Sequence, residues 1–194
     1  MSLRERKAAK KKEDILRSAS LVISRNGYQN ATMEDIAAEL LMTKGSLYYY
    51  FKNKEELLYS CHDLILSAAM EKLEAIFSEE LSSMEKMKKA IKAHLDIAIR
   101  EKEVFNLIMK PEQLFSEENI EEIIQKRDSY AGIFDRILEE GAKRGEFAIP
   151  DKKMARMIIL GATNWVQVWY SSDGKFSKEK IEDLYAEYLL KMLT

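Results

Sequence analysis

The chain has 194 residues, of which a third are charged and nearly half apolar, with only two prolines and seven glycines; that composition predicts an all-α protein with a sizeable core. No apolar run reaches the roughly 18 residues of a membrane span, the opening MSLRERKAAKKK lacks the apolar stretch of a signal peptide, and a lone cysteine, Cys61, excludes an internal disulfide, so the expected location is the cytoplasm with no membrane partner. The net charge of −2 is unevenly spread: residues 1–54 carry eleven Lys/Arg against six Asp/Glu, leaving −7 on the remainder, and a basic head on an acidic body is expected to meet a polyanion unless its lysines merely solvate a helix end.

From Glu13 to Ile23 the residues Ile15, Leu16, Ala19, Val22 and Ile23 mark one face of a helix, which Asn26-Gly27 stops. Thr32 begins a second helix with Asp35 in capping-box position and Ile36, Ala37 and Leu40 as its buried stripe. Thr43 caps a third, equally short helix to about Phe51. Two short helices joined by a tight turn predict a helix-turn-helix. Asn53-Lys54-Glu55-Glu56 opens a longer helix with Leu57, Leu58, Cys61, Leu64, Ile65, Ala68, Leu73, Ile76 and Phe77 inward. Further helices are expected near 82–101, 103–110 and 117–140, the last ended by Gly141 and Gly145. Pro150-Asp151 starts a helix to about Ser171, and Ser177 caps a final one to Met192. The expected domains are 1–53 and 54–194.

The third helix carries Tyr48, Tyr49 and Tyr50 in a row. Leu47 and Phe51, four apart, face inward onto Ile36 and Leu40, leaving Lys44, Gly45, Ser46 and the tyrosines around the exposed arc. In a DNA reader that arc enters the major groove. A tyrosine ring packs on sugar or a thymine methyl while its hydroxyl bonds a phosphate. Gly45 lets backbone and duplex approach, and Lys54 at the next helix start offers a phosphate clamp. Three consecutive tyrosines cannot all point into one core.

The segment ATMEDIAAELLMTKGSLYYYFKNKEELL resembles the DNA-binding domain of the TetR family of bacterial transcription regulators. The resemblance implies an all-α homodimer with a ligand-binding helical body, and repression relieved by a small molecule. It implies that Thr32 and Met33 approach the DNA backbone, that Lys44, Gly45, Ser46, Tyr48 and Tyr49 enter the groove, and that Tyr50 and Lys54 hold phosphates. One departure is visible: Leu41 stands where the family's turn often has glycine, and a positive φ there costs leucine about 1 kcal/mol.

The stretch 154–170 is apolar on more than one face, which predicts burial by its own domain and by a partner subunit. With the final helix it is expected to build a two-fold four-helix interface, Gly161 and Ala162 permitting close approach. Candidate pocket residues are Arg100, Phe105, Met109, Phe115, Tyr130, Phe134, Asn164, Trp165 and Trp169, with ordinary core as the alternative for the aromatics. Trp165 and Trp169 are expected to wall an elongated cavity, and Asn164 needs a partner in so apolar a helix. The pattern N-W-x-x-x-W-Y-x-x-x-G-x-x-S resembles a branch that includes repressors of fatty-acid and sterol breakdown, which implies an acyl-CoA effector. Arg100, Lys110 or Arg127 would then meet its phosphates. The alternatives are a cationic drug, as in efflux regulators, or no small-molecule effector.

An enzyme is disfavoured by inventory. Two histidines and one cysteine supply no metal set, and Cys61 and His62, adjacent on a helix, point about 100° apart. His94 sits on an apolar stripe and reads as a satisfied core or pocket residue. No cofactor or metal is expected. A helical interaction module that never touches DNA is disfavoured by the basic head and the Lys44–Phe51 arc.

Overall fold

The computed structural model describes residues 2–27, 29–102 and 115–194, and every regular element among them is a helix. The helix expected near 103–110 lies outside the described residues, as do Phe105, Met109 and Lys110. The described chain packs into two compact units. The first takes Met1–Ile65 with the described part of Glu103–Ile123, and the second Leu66–Lys102 with Ile124–Thr194.

In the first unit, α1 (Leu3–Asn26) starts well before the apolar stripe does. Ser2 and Glu5 form a capping box there, and the Lys-Ala-Ala-Lys-Lys-Lys run that follows is made of helix formers. Gly27, at φ +75°, ends the helix. Helices α2 (Met33–Glu39) and α3 (Lys44–Tyr50) are capped by Thr32 with Asp35 and by Thr43. Then α4 (Lys54–Phe77) opens where Asn53 Oδ1 accepts the Glu56 amide at 2.7 Å. Ile15, Ile23, Ile36, Leu47, Phe51, Leu57 and Leu58 fill the core between these helices, all essentially inaccessible. Cys61 is buried there, its thiol donating to the Leu16 carbonyl, and burial pushes its pKa up to about 12. A thiol so placed is a packing group rather than a nucleophile.

This unit runs past the division expected at 53. The first turns of α6 (Glu117–Lys143) belong to it: Glu55 accepts from the Ser116 amide at 2.7 Å and from Asn119 at 2.9 Å, and Tyr59 donates to Glu122. Those ties join residues some sixty positions apart, which no composition shift in the sequence marks.

In the second unit, α5 (Ser83–Arg100) is the central element. Against it pack α7 (Lys152–Asn164), α8 (Val166–Trp169) and α9 (Lys178–Lys191). Met87, Ile91, Leu95, Phe134, Ile137, Leu138 and Ile159 are fully buried in the core of this unit. Along α4 the buried alanine is Ala69 rather than the expected Ala68, because Ala69 is the residue in phase with Leu73 and Ile76. Gly141 does not end α6. It lies inside the helix, where a Cβ would fall 2.1 Å from the Phe147 ring, and the turn is made by Gly145 at φ +71°.

The single helix expected over 154–170 is broken at Trp165 into α7 and α8. Near the break, Thr163 turns its hydroxyl back onto the Ile159 carbonyl at 2.7 Å, a bond that bends helices, and the Asn164 side chain is drawn to α5.

Candidate DNA-binding face and effector site

The exposed arc of α3 forms as its spacing dictates. Leu47 and Phe51 are buried, while Lys44, Gly45 and Ser46 face solvent with Tyr48 (42% exposed) and Tyr49 (84% exposed). Tyr50 is half-buried against the core, meeting the Tyr49 ring edge-to-face at 5.3 Å between centroids. The Thr43 cap accepts from the Ser46 amide, which fixes the start of α3. Lys44 pairs with Glu34 of α2 and lies 5.7 Å over the Tyr48 ring. The hydrogen bond from Lys44 holds the Glu34 carboxyl below its ordinary pKa and raises that of Lys44. Both groups are on the surface, so a polyanion can compete for the lysine.

Two expected contacts to the DNA backbone are engaged within the fold, one by burial and one by a hydrogen bond. The Met33 side chain is buried, so only its main-chain amide, at the start of α2, is on offer to an anion. The Lys54 ammonium donates to the Ala31 carbonyl at 2.9 Å, and burial lowers its pKa. Lys54 therefore ties the start of α4 to the loop that delivers Thr32. Thr32 itself is exposed, but its hydroxyl and amide serve the capping box with Asp35.

Leu41 adopts φ +52°, the left-handed conformation anticipated from its position in the turn, with its side chain 97% exposed. The α2–α3 turn thus keeps its geometry at the expense of local strain.

In the second unit the expected pocket residues divide. Tyr130, Phe134 and Asn164 converge on His94 of α5. Asn164 Oδ1 lies 2.8 Å from His94 Nε2, and the Tyr130 hydroxyl 2.7 Å from Nδ1. With the amide oxygen accepting, Nε2 carries the proton and Nδ1 accepts from the phenol. Phe134 meets the imidazole edge-on. Burial lowers the His94 pKa to about 4, against the Asn164 hydrogen bond, which favours the charged form; the ring is neutral at pH 7. Burial also raises the Tyr130 pKa. Asn164 thus has the partner its apolar surroundings demanded.

Trp165 and Trp169 do not join them. Trp165 is 62% exposed, and Trp169 is half-exposed and stacked on Tyr185 of α9. The break at Trp165 removes the continuous helical face on which both indoles were to line one cavity. Arg100 is exposed and paired with Asp96 at 2.9 Å, in a cluster with Lys178 and Lys72. Burial would raise the Asp96 pKa, but these three cations hold it below the usual carboxylate range. Phe115 packs in the core of the first unit. Gln167 was missed. It is 2% exposed on α8, and its Oε1 has no hydrogen-bond partner among the described residues. An amide inside the apolar run NWVQVWY was the available signal. No group of three or more His, Cys, Asp or Glu able to hold a metal occurs among the described residues.

Residues 15–61 match the family described as bacterial regulatory proteins, tetR family, and residues 80–193 match the tetracyclin repressor-like C-terminal domain. The chain is 29% identical over 181 residues to the fatty acid metabolism regulator protein of Bacillus subtilis, covering 91% of this chain and 92% of that one. It is 27% identical to the HTH-type transcriptional repressor KstR2 of Mycolicibacterium smegmatis, over 96% of this chain and 92% of that one. Among solved structures, the regulator FadR from Bacillus subtilis in complex with stearoyl-CoA aligns with a TM-score of 0.76 at 26% identity, covering 93% of this chain and 98% of that one. With the head matched through its recognition helix and the body matched along most of its length, the chain belongs to the TetR family of bacterial transcriptional regulators, dimeric proteins that bind operator DNA and are not enzymes.

Proposed function

We propose that this regulator is a repressor that leaves its operator when an acyl-CoA thioester, or the fatty acid it carries, binds in the helical body. The similarity, end to end, to a regulator solved with stearoyl-CoA carries the reading. Two features of the second unit support it. Tyr130, His94 and Asn164 supply a small polar cluster beside the buried Phe134, the mixture by which a site orients a ligand head while burying its tail. Gln167 Oε1 is a buried acceptor with no donor among the described residues, which the amide N–H groups of a pantetheine arm would supply and a bare hydrocarbon would not.

On the DNA side, Lys44, Gly45, Ser46, Tyr48 and Tyr49 enter the major groove, with Lys44 released from Glu34, while Tyr50, Thr32 and the Met33 amide serve the phosphate backbone. Lys54 holds the loop before Thr32 in place through the Ala31 carbonyl. Two subunits join through α7, α8 and α9. Met154, Met157, Ile158, Val168 and Tyr188 leave apolar surface exposed on those helices, and Gly161 is exposed with open space around it.

Calorimetric titration with saturated acyl-CoAs of increasing chain length tests the ligand class. Affinity should rise by about 0.8 kcal/mol for each added CH₂ and then level off as the pocket fills. Heats that are absent at every chain length, alongside binding of a planar cationic dye, would replace the acyl-CoA reading with a drug sensor.

A further inference from the structure

The first turns of α1 present a run of five cations, bounded by Glu5 on one side and by Glu13 and Asp14 on the other. Between Arg6 and Lys12 stand Arg6, Lys7, Lys10, Lys11 and Lys12 with no acidic residue among them, and Arg6, Lys7 and Lys10 are exposed. The cations nearer the recognition helix behave differently: Arg17 pairs with Glu13, Arg25 with Glu39 and Lys44 with Glu34. Arg6, Lys7, Lys10 and Lys11 make no ion pair with a described residue. Within a helix, Lys7 and Lys11 are neighbours at i,i+4, as are Arg6 and Lys10, so these like charges repel and weaken the helix that carries them. Yet the run is helical, started by the Ser2–Glu5 capping box, in which the Ser2 hydroxyl accepts from the Glu5 amide and the Glu5 carboxylate from the Ser2 amide. Lys12 sits 5.4 Å over the ring of Phe51, the C-cap of α3, which sets this basic turn beside the end of the recognition helix.

We propose that the α1 extension is a second DNA contact, in which Lys7, Lys10 and Lys11, with Arg6, bind backbone phosphates in the duplex flanking the operator. Phosphates remove the like-charge repulsion, and the lysines read no sequence. The extension adds affinity and salt dependence while α3 supplies the specificity. The ligand class proposed for the body plays no part in this contact.

The test uses the full chain and the genomic fragment it retains, trimmed to the footprint or lengthened on each side by one helical turn, about ten base pairs. The triple variant Lys7→Gln, Lys10→Gln, Lys11→Gln is compared with Lys88→Gln, Lys175→Gln, Lys180→Gln, which makes the same charge change in the second unit. Wild type and the control should bind the longer duplex more tightly than the trimmed one. The α1 variant should lose that preference, and the salt slope of its binding should fall by about 1 for each phosphate contact removed. Amide exchange over residues 3–12 should slow on DNA binding in the wild type and not in the α1 variant. An α1 variant with the flank preference and slope of wild type overturns the proposal, and so does a control that loses as much. A wild-type protein that retains no DNA at all would instead count against the DNA-binding assignment itself.

Discussion

Single residues in this chain carry measurable free energy. Leu41 is held at φ +52° with its side chain in water, so replacing it removes strain and no packing. Leu41→Gly should stabilise the protein by up to about 1 kcal/mol, the left-handed strain less the extra freedom glycine has when unfolded. Thermal or urea unfolding checks this, and a destabilised variant would mean that the leucine makes a contact of its own. His94 is the opposite case, a polar ring held neutral by burial with a pKa of about 4. Below its ordinary value near 6.5 the unfolded chain takes up a proton that the folded chain refuses, so stability due to His94 is complete above about pH 6.5 and falls as the pH drops towards 4. The loss amounts to about 3 kcal/mol over that window. Urea midpoints measured at pH 7 and pH 5 should differ less for His94→Gln than for wild type, and an equal dependence would show that His94 is not the group responsible.

At the scale of elements, the short helices of the head were legible in the sequence because their determinants are local. Thr32 with Asp35, Thr43, and Gly27 each act within one turn, and Leu47 with Phe51 sets the inward face of α3 by spacing alone. The arc bearing Tyr48 is exposed as that spacing requires, and Tyr48→Ala should weaken operator binding by about 1–3 kcal/mol while leaving unfolding nearly unchanged. Early unfolding with normal binding would reverse the assignment. What sequence periodicity could not show is set by distant partners. The break at Trp165 accompanies a bond from Asn164 to His94, seventy positions away, and the extent of the head unit depends on Glu55 meeting Ser116 and Asn119. The tryptophans illustrate the consequence. Their spacing of four predicts a shared cavity wall, yet their exposure places them on the surface of the single chain. Ile158 lies on that surface too, 51% exposed, which separates folding from assembly. Ile158→Asp should yield a folded monomer, seen by light scattering, whose operator affinity drops by more than about tenfold as the second half-site is lost. A dimer of wild-type stability would move the interface elsewhere.

For the whole molecule, the proposed function has the basic head meet a polyanion and the acidic body an effector, with release coupling the two. A ligand shifts the protein off DNA only by the difference between its affinities for the free and the DNA-bound forms. Tryptophan fluorescence is a poor reporter of that step, since both indoles lie on the surface proposed for dimerisation, and the DNA itself must be watched. The most direct measurement is the anisotropy of a labelled operator bound to the dimer during titration with stearoyl-CoA. The expected result is a fall to the value of free DNA, over the concentration range in which calorimetry shows the ligand binding. An operator that stays bound while the ligand site is saturated would contradict the proposal that an acyl-CoA relieves repression by this protein.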